Sequence, residues 1–187
     1  MDNEIKRNIV FMGIKHCGKS TIGRAWAEWI GWDFFDLDEM IQQEFDPQAQ
    51  ISVREIYNQR GEDEFRALEA LSSAKLALGM IRKGRMVISL GGSTIENPVA
   101  MGALGKFGFL VYLEEKPETL VQRVEARGYP PYVDMARPRE HFLELIEKRG
   151  KLYREKADLA LPVMGKSVQA VIIILEKELE VRGYGWK

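Results

Sequence analysis

Only one cysteine, Cys17, occurs in the 187 residues. No disulfide can form within the chain, and its core has to hold the fold together. Net charge is also scarce, because 27 lysines and arginines stand against 28 aspartates and glutamates, leaving -1. A balance of that kind sets up no field to recruit nucleic acid or an anionic membrane, so any anion must be held locally. Long hydrophobic runs are missing too. The longest branched apolar run, VIIIL at 171–175, falls far below the ~20 residues that span a bilayer. The opening MDNEIKRNIVFMG lacks the basic-then-apolar layout of a secretory leader. These absences predict a soluble, reduced, cytoplasmic protein, and the length predicts one compact domain over residues 1–187.

What is present is an alternation. Short β-branched or aromatic runs (NIVFM, RMVISL, FGFLVYL, and more weakly WDFFDLD and DLALPV) alternate with helical patterns. That is the signature of an α/β fold with a mostly parallel sheet. After the first strand, Ile22, Trp26, Trp29 and Ile30 recur at helical spacing, which predicts an apolar helix face lying on the sheet with its tryptophans in the core. ISVREIYNQRGEDEFRALEALSSAKLAL reads as two helices broken at Gly61, and SVQAVIIILEKELEV as a terminal helix. Between Arg127 and Pro138 the stretch RGYPPYVDMARP holds three prolines, which forbid regular helix and predict a surface loop.

Gly13 to Ser20 fits G-x-x-x-x-G-K-[ST] directly after a predicted strand and directly before a predicted helix. Such a turn aims successive backbone N–H groups and the positive helix end at phosphate oxygens, while Lys19 adds a cation and the Ser20 hydroxyl suits magnesium. Lys15, His16 and Cys17 stand where such loops favour small residues, yet the cradle is main chain, which any non-proline residue supplies. If position 16 requires positive φ, a histidine there costs roughly 1–2 kcal/mol. We expect the His16 and Cys17 side chains to point outward without a catalytic part.

The acceptor side is less explicit. Asp36 and Asp38 are two carboxylates two apart at a strand end. They are candidates for a metal contact and a hydroxyl-orienting base, and equally for capping a helix start. Arg66 and Glu69 lie one helical turn apart, Gly91-Gly92 ends a buried strand where a ligand could approach the backbone, and Arg149 and Tyr153 share a helical face. In this order, the loop with STIGR, the DLD pair, ISVREIYNQRGEDEFRALE, the SLGG turn and KRGKLYREKAD resemble the shikimate kinase family, from about Asn8 to Leu179.

The resemblance implies a three-layer α/β/α sandwich of the P-loop nucleoside-monophosphate-kinase kind, its five parallel strands ordered 2-3-1-4-5. It implies an acceptor-binding region near 37–70, a lid near 127–138, and ATP and Mg2+ as cofactors. Gly13, Gly18, Lys19, Ser20 and Thr21 would hold the nucleotide with Arg123 over adenine, and Ser20 and Asp36 would serve the metal. Asp38 would hold the acceptor's hydroxyls and take the proton beside catalytic Lys19. Arg66, Arg149, Gly91 and Gly92 would bind the acceptor's carboxylate, since paired guanidinium forks suit a planar carboxylate. The acceptor would be shikimate or a similar small carboxylate, and the protein a monomer.

The sequence departs from the family at two places. The glycine triplet reads Gly91-Gly92-Ser93, and Pro130 stands where the family's lid carries an arginine that reaches the transferring phosphate. Arg127, Arg137 or Arg139 could replace that charge, and Tyr129 and Tyr132 could form an apolar cover. The same departures leave open a kinase for another hydroxylated metabolite, or a nucleotide-binding regulator with little transfer activity. A nucleoside monophosphate kinase, which needs more positive charge around its acceptor, is disfavoured.

Overall fold

A computed structural model describes residues 8–48 and 50–184. The leader reading of residues 1–7, and the last three residues of the domain predicted over 1–187, lie outside them. Strand β1 (Asn8–Met12) is buried along its whole length, which is why NIVFM reads as continuous apolar sequence with no alternation. It is the central strand of a parallel sheet, completed by β2 (Asp33–Asp36), β3 (Met86–Ser89), β4 (Gly108–Glu114) and β5 (Leu159–Pro162) in the order β2-β3-β1-β4-β5. The predicted strand order and three-layer α/β/α sandwich are both observed. Asn8 is polar but buried, and its groups are satisfied: its amide donates to Phe107 O at 3.0 Å, and its side-chain oxygen accepts from Met86 N at 3.1 Å.

Helices α1 (Lys19–Ile30), α2 (Leu37–Phe45), α3 (Val53–Arg82), α4 (Pro98–Gly105), α5 (Pro117–Arg127), α6 (Pro138–Lys156) and α7 (Val168–Val181) cover the sheet. A reciprocal cap starts α3: Ser52 Oγ accepts from Glu55 N, and Glu55 Oε2 accepts from Ser52 N at 2.7 Å. The predicted break at Gly61 is a kink with φ 80 and ψ 177, and helix continues on both sides. The terminal helix appears as α7. The irregular chain between α5 and α6 coincides with the expected lid stretch. Among the described residues no helix is long and apolar enough to cross a membrane.

The expectation for the tryptophans of α1 needs correction. Trp26 is fully buried, but Trp29 is 53 % exposed. It stands at the edge of the apolar stripe, off the face formed by Lys19, Ile22, Gly23, Trp26 and Ala27. Trp26→Ala should therefore cost about 3–5 kcal/mol in urea unfolding, whereas Trp29→Ala should stay within about 0.5 kcal/mol. Equal losses from the two would contradict this packing.

Candidate active site

Strand β1 passes through Gly13–Gly18 into α1. Gly13 has φ 152, and a Cβ there would stand 2.9 Å from Leu113 O and 2.7 Å from Cys17 Sγ, so no other residue fits. His16 adopts the left-handed φ of 66, and the loop bears the cost expected for a non-glycine residue. Cys17 does not point outward as expected: it is buried beneath the loop against Gly13, where burial raises its thiol pKa. Gly18 provides no side-chain cap for α1, and the first turn holds no acidic residue. The helix's leading N–H groups therefore have no side-chain cap, and Gly18 to Thr21 line the cleft, where an anion would meet them. Lys19 is buried, and its ammonium donates to Gly13 O at 3.0 Å and Ile14 O at 3.1 Å.

The two readings of Asp36 prove compatible. Its Oδ1 accepts from Asp38 N at 3.0 Å and caps α2, while its Oδ2 accepts from Ser20 Oγ at 2.6 Å. A hydroxyl and a carboxylate oxygen so close are hard donors that could hold a magnesium ion needing few protein ligands. Among the described residues no group of three or more His, Cys, Asp or Glu forms a metal cage. The remaining oxygens would come from phosphates, as is usual for magnesium at nucleotide sites. Asp38 is half-buried, and burial together with the adjacent Asp36 carboxylate pushes its carboxyl above the usual range, with Lys15 and Lys19 opposing.

In front of the loop lies a cleft of about 360 Å³, and Gly18, Lys19, Ser20, Thr21, Asp38 and Gly92 are on its wall. The glycine turn closes against the loop, since a Cβ on Gly92 would stand 2.9 Å from Lys15 N and one on Gly91 2.8 Å from Asp38 Oδ1. Arg66 and Arg149 line a smaller adjoining cavity of about 30 Å³. Tyr57, Phe65, Ser93 and Tyr132 face both spaces. Arg123 lies at the loop's outer edge and donates to His16 O at 2.7 Å and to Glu115 Oε2 at 3.1 Å.

Both acceptor-side arginines are engaged by protein groups. Arg66 donates to Glu62 Oε1 at 2.9 and 2.6 Å and to Glu96 O at 2.8 Å. The buried Arg149 donates to Glu96 Oε2, Gly92 O at 3.1 Å and Tyr132 Oη at 2.9 Å. The Tyr132 ring also lies 4.5 Å from its guanidinium carbon. Tyr132 thus covers Arg149 and lines the cleft, whereas Tyr129 does not line it: its ring packs edge-on to Phe142, and its carbonyl accepts from Arg54. Arg137 pairs with Glu144, and Arg139 with Glu125, so of the three suggested lid arginines Arg127 alone lines the cleft.

The family model described as Shikimate kinase matches residues 15–179. A shikimate kinase of Caldanaerobacter subterraneus subsp. tengcongensis is 30 % identical over 88 % of this chain and 91 % of its own. The chain belongs to the shikimate kinase family. Its fold is shared with the Acinetobacter baumannii shikimate kinase in complex with shikimate, at TM-score 0.84 and 24 % identity over 96 % of each chain. The Aquifex aeolicus shikimate kinase matches at TM-score 0.77 and 27 % identity, over 95 % of this chain and 99 % of that one. Membership of the shikimate kinase family carries ATP-dependent phosphoryl transfer to a small molecule.

Sequence reasoning missed Arg54, Tyr57 and Glu96. Arg54 and Tyr57 are three apart at the start of α3 and so share a face, a signal that was available. Glu96 gives no local signal because its partner Arg149 is 53 positions away. Burial works against the Glu96 charge, but Lys148 and Arg149 outweigh it and hold the carboxyl below its ordinary value. A carboxylate lowered in this way stabilises the fold above its unfolded pKa, and that stability is lost as pH falls through the folded pKa. Glu96→Gln should cost about 3–5 kcal/mol at neutral pH because it strands Arg149, and its deficit relative to wild type should shrink on acidification. A deficit that does not change with pH would contradict the pairing.

Proposed function

We propose that this protein transfers the γ-phosphoryl group of ATP to a hydroxyl of shikimate, giving ADP and shikimate 3-phosphate. The observation that carries the reading is the meeting of the phosphate loop, Asp38 and the glycine turn in one cleft beside the cavity of Arg66 and Arg149. In this reading Gly13, Gly18, Lys19, Ser20 and Thr21 hold the phosphates, Lys19 exchanging its loop carbonyls for phosphate oxygens, and Arg123 covers the adenine. Ser20 and Asp36 would hold magnesium, which would supply charge neutralisation at the phosphates. Arg66 and Arg149 take the acceptor's carboxylate once Tyr132 turns aside, with the N–H groups of Gly91 and Gly92 next to it.

Asp38 then holds the reacting hydroxyl and receives its proton as the hydroxyl oxygen bonds to phosphorus and the bond to the departing ADP breaks. Positioning and charge neutralisation supply most of the rate, so no covalent enzyme intermediate is required. The lid over 127–138 excludes water while the acceptor region over 37–70 keeps the hydroxyl in line. We further propose that residues 1–187 act as one domain, as a cytoplasmic monomer without nucleic-acid or membrane partners.

A second acceptor class is favoured by one feature. Lys15, Lys19, Arg54 and Arg127 line the cleft, which makes it more cationic than the sequence reading allowed and suits an acceptor with a further anionic group. Coupled measurement of ADP release should show magnesium-dependent turnover with shikimate that EDTA abolishes. Asp38→Asn should lower kcat about 100-fold or more, and Arg66→Ala should raise the KM for shikimate. Turnover with another hydroxylated carboxylate or sugar acid but not with shikimate would move the function to that acceptor, and an undiminished Asp38→Asn would reject the base.

A further inference from the structure

The transferring phosphoryl group spreads negative charge over three equatorial oxygens, and something cationic has to face them on the acceptor side. The lid of this protein presents the uncharged Pro130, Pro131 and Tyr132 to the cleft, with Arg127 at its α5 end. Of the cleft's cations, Lys19 stands at the loop end that takes the phosphate chain. Arg54 is exposed and clasps the lid through the Tyr129 carbonyl. Arg127 is exposed at the end of α5, on the His16 side of the loop. Lys15 remains. It is half-buried on the cleft wall, and its backbone packs on Gly92. Among the described residues its ammonium has no hydrogen bond or ion pair.

We infer that Lys15, from the floor of the cleft, donates hydrogen bonds to the γ-phosphoryl oxygens during transfer, as a catalytic residue supplying the charge that Pro130, Pro131 and Tyr132 do not. Lys15 interacts electrostatically with both Lys19 and Asp38, the two residues that bracket the transfer path. Because it sits on the loop that binds the nucleotide, it needs no lid movement to reach its place. Burial lowers the Lys15 pKa and Asp38 opposes that shift, and Lys15 exchanges no proton in the step: the new bond joins the acceptor oxygen to phosphorus, the electron pair of the broken bond leaves with ADP, and the hydroxyl proton goes to Asp38. The local positive field is also felt by His16, whose imidazole is driven down to about 4, first by burial and then by Lys15, Arg127, Lys19 and Arg123.

The inference rests on the cleft being a phosphoryl-transfer site, and the test separates it from the choice of acceptor. Lys15→Met and Lys15→Arg are compared with wild type for melting temperature, binding of MgADP, binding of MgADP with fluoroaluminate, and kinetics with shikimate. Lys15→Met should melt normally and bind MgADP within about twofold of wild type. It should lose about 100- to 1,000-fold in kcat and in fluoroaluminate-complex affinity while the KM for shikimate stays within about threefold, and Lys15→Arg should recover most of the loss. A Lys15→Met kcat within about threefold of wild type overturns the assignment. So does an equal loss of MgADP binding, which would make the residue a structural part of the loop. If wild type does not turn over shikimate, the acceptor proposal fails, and the fluoroaluminate comparison still decides Lys15.

Discussion

The carbonyl of Gly13 is the joint on which the cleft turns. It accepts from the Lys19 ammonium at 3.0 Å and lies 2.9 Å from the buried Tyr153 hydroxyl, which also lies 3.0 Å from Gly92 O. The phenol's single proton serves these two carbonyls in turn, so the side chain sits between the phosphate loop and the glycine turn. The Tyr153 ring is held in place by stacking on Tyr112 of β4, with centroids 5.0 Å apart. The Gly13 carbonyl is buried and costly to leave unpaired, so the arrangement is strongly specified although it uses few bonds.

The acceptor side inherits its geometry from that joint. Arg149 precedes Tyr153 by one helical turn on α6, so fixing the phenol fixes the guanidinium beside Gly92 O. Glu96 and the Tyr132 ring then complete its surroundings. A buried cation must be satisfied whether or not a ligand is bound, and here the protein's own carboxylate and a lid aromatic satisfy it. Under the proposed function, binding of an acidic acceptor would be an exchange of partners at Arg149 in which Tyr132 takes part, and would couple the 127–138 stretch to acceptor occupancy through that side chain.

Local pattern explains why so much of the fold was readable. NIVFM, RMVISL and FGFLVYL are buried strands with unmistakable apolar runs, and Gly61 marks its kink because only glycine takes φ 80 easily. The loop was readable because strand, glycines, Lys19 and Ser20 occur in one uninterrupted order, and the order of the remaining motifs revealed the family. Trp29 was misjudged because the buried face of α1 is centred on Ile22, Gly23, Trp26 and Ala27, which leaves position 29 at its edge. The pairing of Arg66 with Glu62 was available as an i,i+4 spacing, whereas the engagement of Arg149 was invisible because Glu96, Gly92 and Tyr132 approach it from distant parts of the chain. Lys15 could be seen as unusual, but the side of the loop it occupies follows only from the packing of Gly92 against it.

The central claim is that an acidic acceptor displaces Tyr132 from Arg149 and lies between the arginine pair and Asp38. A crystal structure of the protein with MgADP and shikimate tests it most directly. The account predicts the shikimate carboxylate on Arg66 and Arg149, the Tyr132 ring turned off the guanidinium, and a ring hydroxyl within hydrogen-bond distance of Asp38. Shikimate bound elsewhere, or bound with Tyr132 still stacked on Arg149 and Glu96 still its sole carboxylate, would contradict it.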